Sequence, residues 1–422
     1  MKVKSLAFVG VSLALLFLTV PGAVGWQERA GLPAIERELP SDPVASSGCR
    51  EARAVLVTVP HLNLAPVRTV KLAAGQKQLF LDNGVLARVE HVKRTLHQPR
   101  KYGAVIRPDE AWEGRAIQIR SGPSWNPEKK LWMIFYLGGG YATSRDGIHW
   151  KKPVLGLVIY KGSKENNLML PRTTYTPGSF FDSSGRFNPK LFHILEGNGI
   201  NVRAVFYDPQ DPDPERRYKG FATSIPFGPL HPAVSADGRK WKVLETSSVP
   251  SSDEFHLFHD ARRNLYVATV KQQGPYGRSV YLSVSKDFVH WTKPGGCLIF
   301  HADQRDQKLG AELVRRHLRN PDLRQPTINR PKEYKTDIYN LPVFAYQGLY
   351  IGMPTVFNHS GNTKNNSDGF SMVELAVSRD LMHWERGGTG KSLFLYRRWR
   401  EERTTMLRNC WRPTNPSLRR PK

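Results

Sequence analysis

From Glu113 onward the chain alternates short apolar runs with clusters of turn residues. Ala204-Val205-Phe206-Tyr207 leads through Asp208-Pro209 and a charged turn to Tyr218-Lys219-Gly220-Phe221. His256-Leu257-Phe258-His259-Asp260 leads through Ala261-Arg262-Arg263-Asn264 to Leu265-Tyr266-Val267. Leu341-Pro342-Val343-Phe344-Ala345-Tyr346 leads through Gln347-Gly348 to Leu349-Tyr350-Ile351-Gly352, and residues 131–136 match the second strand of such a pair. Runs of this length, rich in aromatic and β-branched residues and bounded by Gly, Pro, Asn and Asp, predict paired antiparallel strands and an all-β chain. Gly138-Gly139-Gly140 falls between two of these strands, so it reads as a hairpin turn; a phosphate-binding loop would open a helix. Residues 308–319 alone have helical spacing and predict a short inserted helix. Lys77-Gln78-Leu79-Phe80-Leu81-Asp82 reads as the first strand of the folded part.

One pattern punctuates these strands four times: Ser, any residue, Asp, three residues, Trp. The copies begin at Ser144, Ser235, Ser285 and Ser378 and end at Trp150, Trp241, Trp291 and Trp384. A unit recurring at about 40–50 residues is the mark of propeller blades. The serines lie 91, 50 and 93 residues apart, so each wide gap holds a degenerate blade or a long insertion. The expected fold is a five-bladed β-propeller over residues 77–390, its last blade short of strands after Trp384. Asp-Gly at 146–147 and 237–238 makes a tight turn, and the Trp returns as an apolar plate on the blade edge. The motif therefore reads as a blade lock rather than a reactive site.

The flanks differ in composition. Lys2 and Lys4, the apolar run from Leu6 to Val20 and Ala23-Val24-Gly25 have the order of a secretory signal over residues 1–25. The apolar run is short for a bilayer span of about 20 residues, so the mature protein is expected to be secreted or periplasmic, without stable membrane insertion. Residues 26–76 read as a linker or strap, and the Arg-rich residues 391–422 as a basic tail without blade character. Three cysteines, Cys49, Cys297 and Cys410, allow one bridge and make neither a disulfide framework nor a zinc site. A formal charge of +25 reads either as solvated basic surface or as the mark of a polyanionic partner such as an acidic or sulfated glycan, anionic lipid or nucleic acid. No helix-turn-helix, zinc-finger or RNA-binding pattern turns that charge toward nucleic acid.

In a propeller the innermost strand of each blade lines the channel, so polar groups just before those strands are the candidates for chemistry. They are Glu113, Asn201, Asp253 with Glu254, and Asp337. Acids converging from separate blades suit glycoside hydrolysis, in which one carboxylic acid protonates the leaving oxygen and another group activates water or attacks the sugar. Glu113, Asp253 and Asp337 are the expected catalytic set. Asn201, Trp112, Glu254 and Tyr339 are the expected substrate contacts, with Trp125 a further ring on which a sugar could stack. Asp208 and Asp260, at strand ends before charged turns, read as structural. There is no Gly-x-Ser-x-Gly elbow, His-Glu-x-x-His, Cys-x-x-Cys or phosphate loop. No cofactor is expected; a calcium ion in the channel is compatible with the class, although no ligand loop is legible.

Over residues 77–390 the chain resembles the secreted five-bladed propeller proteins described as glycoside hydrolase family 32/43-like. The resemblance is carried by Gln78-Leu79-Phe80-Leu81-Asp82, Arg94-Thr95-Leu96-His97-Gln98-Pro99, Pro108-Asp109-Glu110-Ala111-Trp112-Glu113-Gly114, the four Ser-Asp-Trp turns and Asp337-Ile338-Tyr339-Asn340. It implies a catalytic set of two Asp and one Glu. The Trp-x-Asn-Asp-Pro-Asn-Gly segment and Glu-Cys pair of invertases are missing, and Asp82-Asn83 stands where those proteins have two acids. The leading expectation is an exported glycoside hydrolase acting on a poly- or oligosaccharide. The rivals are a non-catalytic glycan-binding propeller and a surface interaction protein whose basic patch holds an acidic polymer.

Overall fold

The computed structural model describes residues 49–169 and 202–387, apart from several positions between 61 and 101 and the segments 115–116, 224–228 and 363–366. The expected signal, Asn201, Cys410 and the basic tail lie outside the described residues.

The chain is all-β and multi-bladed. The first sheet runs β1 (Ser124–Asn126), β2 (Leu131–Tyr136), β3 (Gly140–Ser144), β4 (Trp150–Lys151). The second runs β5 (Val202–Tyr207), β6 (Tyr218–Ala222), β7 (His231–Ser235), β8 (Lys242–Val243). The third is β9 (Phe255–Asp260), β10 (Leu265–Gly274), β11 (Gly277–Ser285), β12 (Leu298–Phe300). A fifth sheet pairs β13 (Lys335–Asn340), β16 (Thr355–Asn362) and β17 (Ser367–Val373). The fourth pairs β14 (Val343–Tyr346), β15 (Leu349–Gly352), β18 (Ala376–Ser378) and β19 (Trp384–Arg386). These two sheets are one blade with a break across it. Leu341-Pro342 joins β13 to β14, Met353-Pro354 joins β15 to β16, and Glu374-Leu375 joins β17 to β18. Proline has no N–H to give the ladder. The break is stitched instead by the Met353 N–H on the Pro342 carbonyl at 2.9 Å and the Glu374 N–H on the Pro354 carbonyl at 3.0 Å. The second wide gap between repeats thus holds an inserted helix and the lengthened strands of this blade. Much of the first, residues 170–201, lies outside the described residues.

The Ser-Asp-Trp segments have one geometry in all four blades. In the first, the Ser144 hydroxyl donates to Asp146 Oδ1 at 3.1 Å and accepts the Gly147 N–H at 2.7 Å. Asp146 Oδ1 accepts the N–H groups of Ile148 and His149, and Trp150 Nε1 donates to the Gly147 carbonyl. The other copies repeat these bonds. Where the first two copies have glycine at positive φ, the last two have Phe288 at 65° and Leu381 at 70°. A bulky residue is strained there, but both side chains are fully buried in core clusters, and that burial offsets the strain.

Neighbouring blades are stapled by carboxylates at the ends of their first strands. Tyr266 on β10 donates to Asp208 at the end of β5 at 2.6 Å, and Tyr350 on β15 donates to Asp260 at the end of β9 at 2.9 Å. Both acids are about 1% exposed, and each also faces a base, Lys219 for Asp208 and Arg263 for Asp260.

The flanking segments pack onto the blades. Helix α1 (Arg50–Leu56) buries Ala52 and Leu56 against the third blade, and Cys49 beside it is bonded to Cys297. Residues 77–82 form no strand; Leu79 and Leu81 lie on the fourth blade, and Asp82 takes a two-point ion pair from Arg379. The paired strand expected there is replaced by side-chain packing. The inserted helix α2 spans Gln304–Leu318, starting earlier than its apolar spacing shows. Its first turn is polar because Asp303 and Asp306 form a capping box. Asp306 also receives Arg386 with Glu374, which ties α2 to the fourth blade.

Candidate functional site

The ends of β9, β10, β11 and β13 bring together acids and bases from far apart in the chain. Asp253 and Glu254 immediately precede β9. Asp337 and Tyr339 lie on β13, Lys271 near the end of β10, Arg278 at the start of β11, and His359 on β16. Arg120 arrives from the segment before β1, where Ser121 bridges to Leu257 of β9.

Each carboxylate here has a basic partner. Arg120 Nη2 donates to Glu254 Oε1 at 2.7 Å, Lys271 pairs with Asp253, and Arg278 clasps Asp337 with two bonds of 2.7 and 2.9 Å. His359 Nε2 stands 3.0 Å from Asp337. A paired, two-point guanidinium–carboxylate contact is the strong form of such bonds. Two cations lie over the Tyr339 ring, Lys271 Nζ 3.9 Å and Arg278 Cζ 4.7 Å from its centroid. Attraction to the ring face adds about 0.5–2 kcal/mol per contact.

The environment separates the two buried acids. Burial raises the Glu254 carboxyl above its ordinary range despite Arg120, and Asp253 beside it pushes the same way. Burial also acts to raise Asp337, but hydrogen bonds from His359 and Arg278 outweigh it and hold that carboxyl below its ordinary range. Lys271 is lowered by burial against the pull of Asp253. Two carboxyls displaced in opposite directions within one cluster are the usual basis of acid and base roles.

Asp253 and Asp337 are thus linked in one network, through Lys271, the Tyr339 ring and Arg278, and Glu254 stands next to Asp253 in the chain. Glu113 and Trp112 belong to a second network, with no member in common with the first among the described residues. Tyr136 donates to Glu113 Oε1 at 2.6 Å, Lys152 and the Glu110 N–H donate to its Oε2, and Trp112 Nε1 donates to Asn167, which in turn bonds Tyr136. The positional reason is plain: Asp253 directly precedes its strand, whereas Glu113 stands well before β1 (Ser124–Asn126). Trp125 lies on β1 at 40% exposure, beside Trp132.

Acids and amides at strand starts do not mark Arg120, Arg203, Lys271, Arg278 or His359. Arg203 stands two residues after Asn201, so bases at strand starts are the signal that marks it. Among the described residues no group of three or more His, Cys, Asp or Glu is arranged to hold a metal ion. The acids of this cluster face Arg and Lys instead. Among the described residues no helix is long and apolar enough to cross a membrane.

No protein-family model and no curated protein matches the chain. Several solved structures described as glycoside hydrolases are distantly similar to it. One described as "Glycoside hydrolase" shares 13% identity at a TM-score of 0.37, over 71% of this chain and 80% of that one. A glycosyl hydrolase from Bacteroides ovatus shares 11% at 0.34, over 69% and 79%. An N-acetylgalactosamine deacetylase from F. plautii, in complex with blood group B trisaccharide, shares 12% at 0.34, over 62% of this chain; the chain spans 65% of that protein's length. Likeness of this degree assigns no activity, and the fold rests on the sheets and turns themselves.

Proposed function

We propose that the protein is an exported glycoside hydrolase of the 32/43-like kind, acting on a glycan at the cluster of Asp253, Glu254 and Asp337. The observation that carries this reading is the opposite displacement of Glu254 and Asp337 in one charged, aromatic-lined cluster. Glu254, favoured in its protonated form by burial, gives a proton to the glycosidic oxygen as the C–O bond breaks. Asp253 takes the proton of the attacking water, whose oxygen bonds to the anomeric carbon. Asp337, fixed by Arg278, supplies negative charge near the developing oxocarbenium ion. In this reading Glu254 takes the place of Glu113 in the expected catalytic set, and Tyr339, held by Lys271 and Arg278, borders the sugar. The Cys49–Cys297 bond supports export, because such bonds persist in oxidising compartments.

A second reading is a non-catalytic glycan-binding propeller. It is favoured by the same ion pairs, which leave Asp337 only 2% and Glu254 6% exposed. The discriminating experiment is reducing-sugar release on neutral, uronic and sulfated glycans by the mature protein and its Glu254→Gln, Asp253→Asn and Glu113→Gln variants. Release that falls at least about 100-fold in Glu254→Gln, with folding intact, supports the hydrolase. Loss confined to Glu113→Gln moves the chemistry to the other network. No release with glycan binding retained establishes the binding reading.

A further inference from the structure

The ion pairs of the cluster leave one cation over. Arg120 answers Glu254, Lys271 answers Asp253, and Arg278 answers Asp337. Arg203, on β5, stands beside this group: Ser121, next to Arg120, donates its hydroxyl to the Val205 carbonyl of β5 at 2.7 Å, and the charges of Arg120, Glu254 and Asp253 act on Arg203. It makes no hydrogen bond or ion pair with any of their side chains, and its Nε, like Arg120 Nε and His359 Nδ1 in the same cluster, is buried without a partner; unlike those two, Arg203 answers no carboxylate among the described residues. A buried guanidinium nitrogen without an acceptor costs free energy on the order of 1–3 kcal/mol. Burial and the like charge of Arg120 pull the Arg203 guanidinium down to about 10, which still leaves it fully charged at neutral pH.

The backbone at this point is also unusual. Ala204 has φ of 56°, and the pairing of β5 with β6 slips between Arg203 and Phe206. This is a β-bulge, a device that re-aims a side chain and recurs beside active sites. Gly220 faces the bulge: a Cβ there would lie 2.6 Å from Val202 Cγ1 and 3.2 Å from the Arg203 carbonyl oxygen. A strained backbone at Ala204, a glycine at 220 that makes room for the bulge and an Arg203 Nε without a partner lie side by side. Strain of this kind, about 1–3 kcal/mol, marks functional positions more often than chance.

We propose that Arg203 is a specificity residue that receives an anionic group of the bound glycan, so that the substrate is an acidic saccharide bearing a carboxylate or sulfate. This rests on the reading that the cluster is the glycan site. The guanidinium fork matches two oxygens of such a group. Asp253 and Asp337 are each answered by a base and Glu254 is neutral while it holds its proton, so an added anion meets a cation and little net repulsion.

The test is equilibrium binding, which needs no turnover. The probes are an oligogalacturonate, the same oligosaccharide with its carboxyls reduced to neutral alcohols, and a sulfated galactan oligosaccharide. The proteins are wild type, Arg203→Met and Arg203→Lys, each with its unfolding midpoint measured. Wild type is expected to bind one acidic probe at least ten-fold more tightly than the neutral one, with the difference shrinking as salt rises. Arg203→Met is expected to lose that preference while still binding the neutral probe, and Arg203→Lys to keep part of it. Preference for the uronate identifies a carboxylate, and preference for the galactan a sulfate. Equal affinity of wild type for acidic and neutral probes overturns the proposal, as does a folded Arg203→Met that keeps the preference. Turnover separates the two readings: preference without sugar release leaves the acidic ligand standing and removes the hydrolase, and release from neutral glycans without preference does the reverse.

Discussion

Replacing Arg278 with methionine should destabilise the protein more than replacing Asp337 with asparagine. Asp337 is 2% exposed and takes two bonds from Arg278, which also lies 4.7 Å from the Tyr339 ring centroid and 4.8 Å from that of Phe357. Arg278→Met leaves a buried carboxylate with His359 as its remaining side-chain partner; breaking a buried pair in this way costs about 3–5 kcal/mol. Asp337→Asn keeps the shape and an acceptor oxygen. It leaves the cation on an arginine whose side chain is 20% exposed and can be hydrated, so about 1–2 kcal/mol is expected. The double variant should cost less than the sum of the singles, with a coupling of about 1–3 kcal/mol. Denaturant unfolding followed by tryptophan fluorescence reads all three. The sign with pH follows from the lowered Asp337 carboxyl. Its contribution is present above the unfolded value of about 3.9 and is lost as pH falls toward the folded value. The gap between wild type and Arg278→Met should therefore close in acid. An Asp337→Asn cost equal to or above that of Arg278→Met, or a gap that widens in acid, refutes the account of this pair.

Three further outcomes follow from the same structure. Cys49→Ser opens a bond between residues 248 apart in sequence and should lower stability by about 2–5 kcal/mol; a reductant should lower wild type by a similar amount and leave Cys49→Ser unchanged. Ala204→Gly relieves a positive φ and should raise stability by up to about 1 kcal/mol in the same unfolding assay; a clear loss would mean that the bulge is not strained. If Glu254 is the acid, sugar release by wild type should fall on the alkaline side with an apparent pKa above the ordinary carboxyl range; an alkaline limb at an ordinary carboxyl value removes Glu254 from that role.

The all-β class and the blade turns were legible in the sequence, because both depend on near neighbours. Alternation along a strand records which face is buried, and the Ser-Asp-Trp turn closes its bonds within seven residues, so each copy carries its whole structure in its own letters. The inserted helix was legible in its apolar turns but not in its start, which is set by two aspartates capping each other. The site was half legible. Asp253, Asp337 and Tyr339 belong to one contact network, with Glu254 beside Asp253, because the starts of β9 and β13 lie near each other, which position along the chain suggests. Glu113 joins a different network because no sequence rule fixes how far a residue stands from the strand that follows it. The break of one blade into two sheets, the bond from Cys49 to Cys297 and the pairing of each acid with its own base were decided by tertiary structure alone. They depend on which side chains arrive at one place from remote strands. The leftover charge of Arg203 is of the same kind, since a residue lacks a partner only relative to everything packed around it.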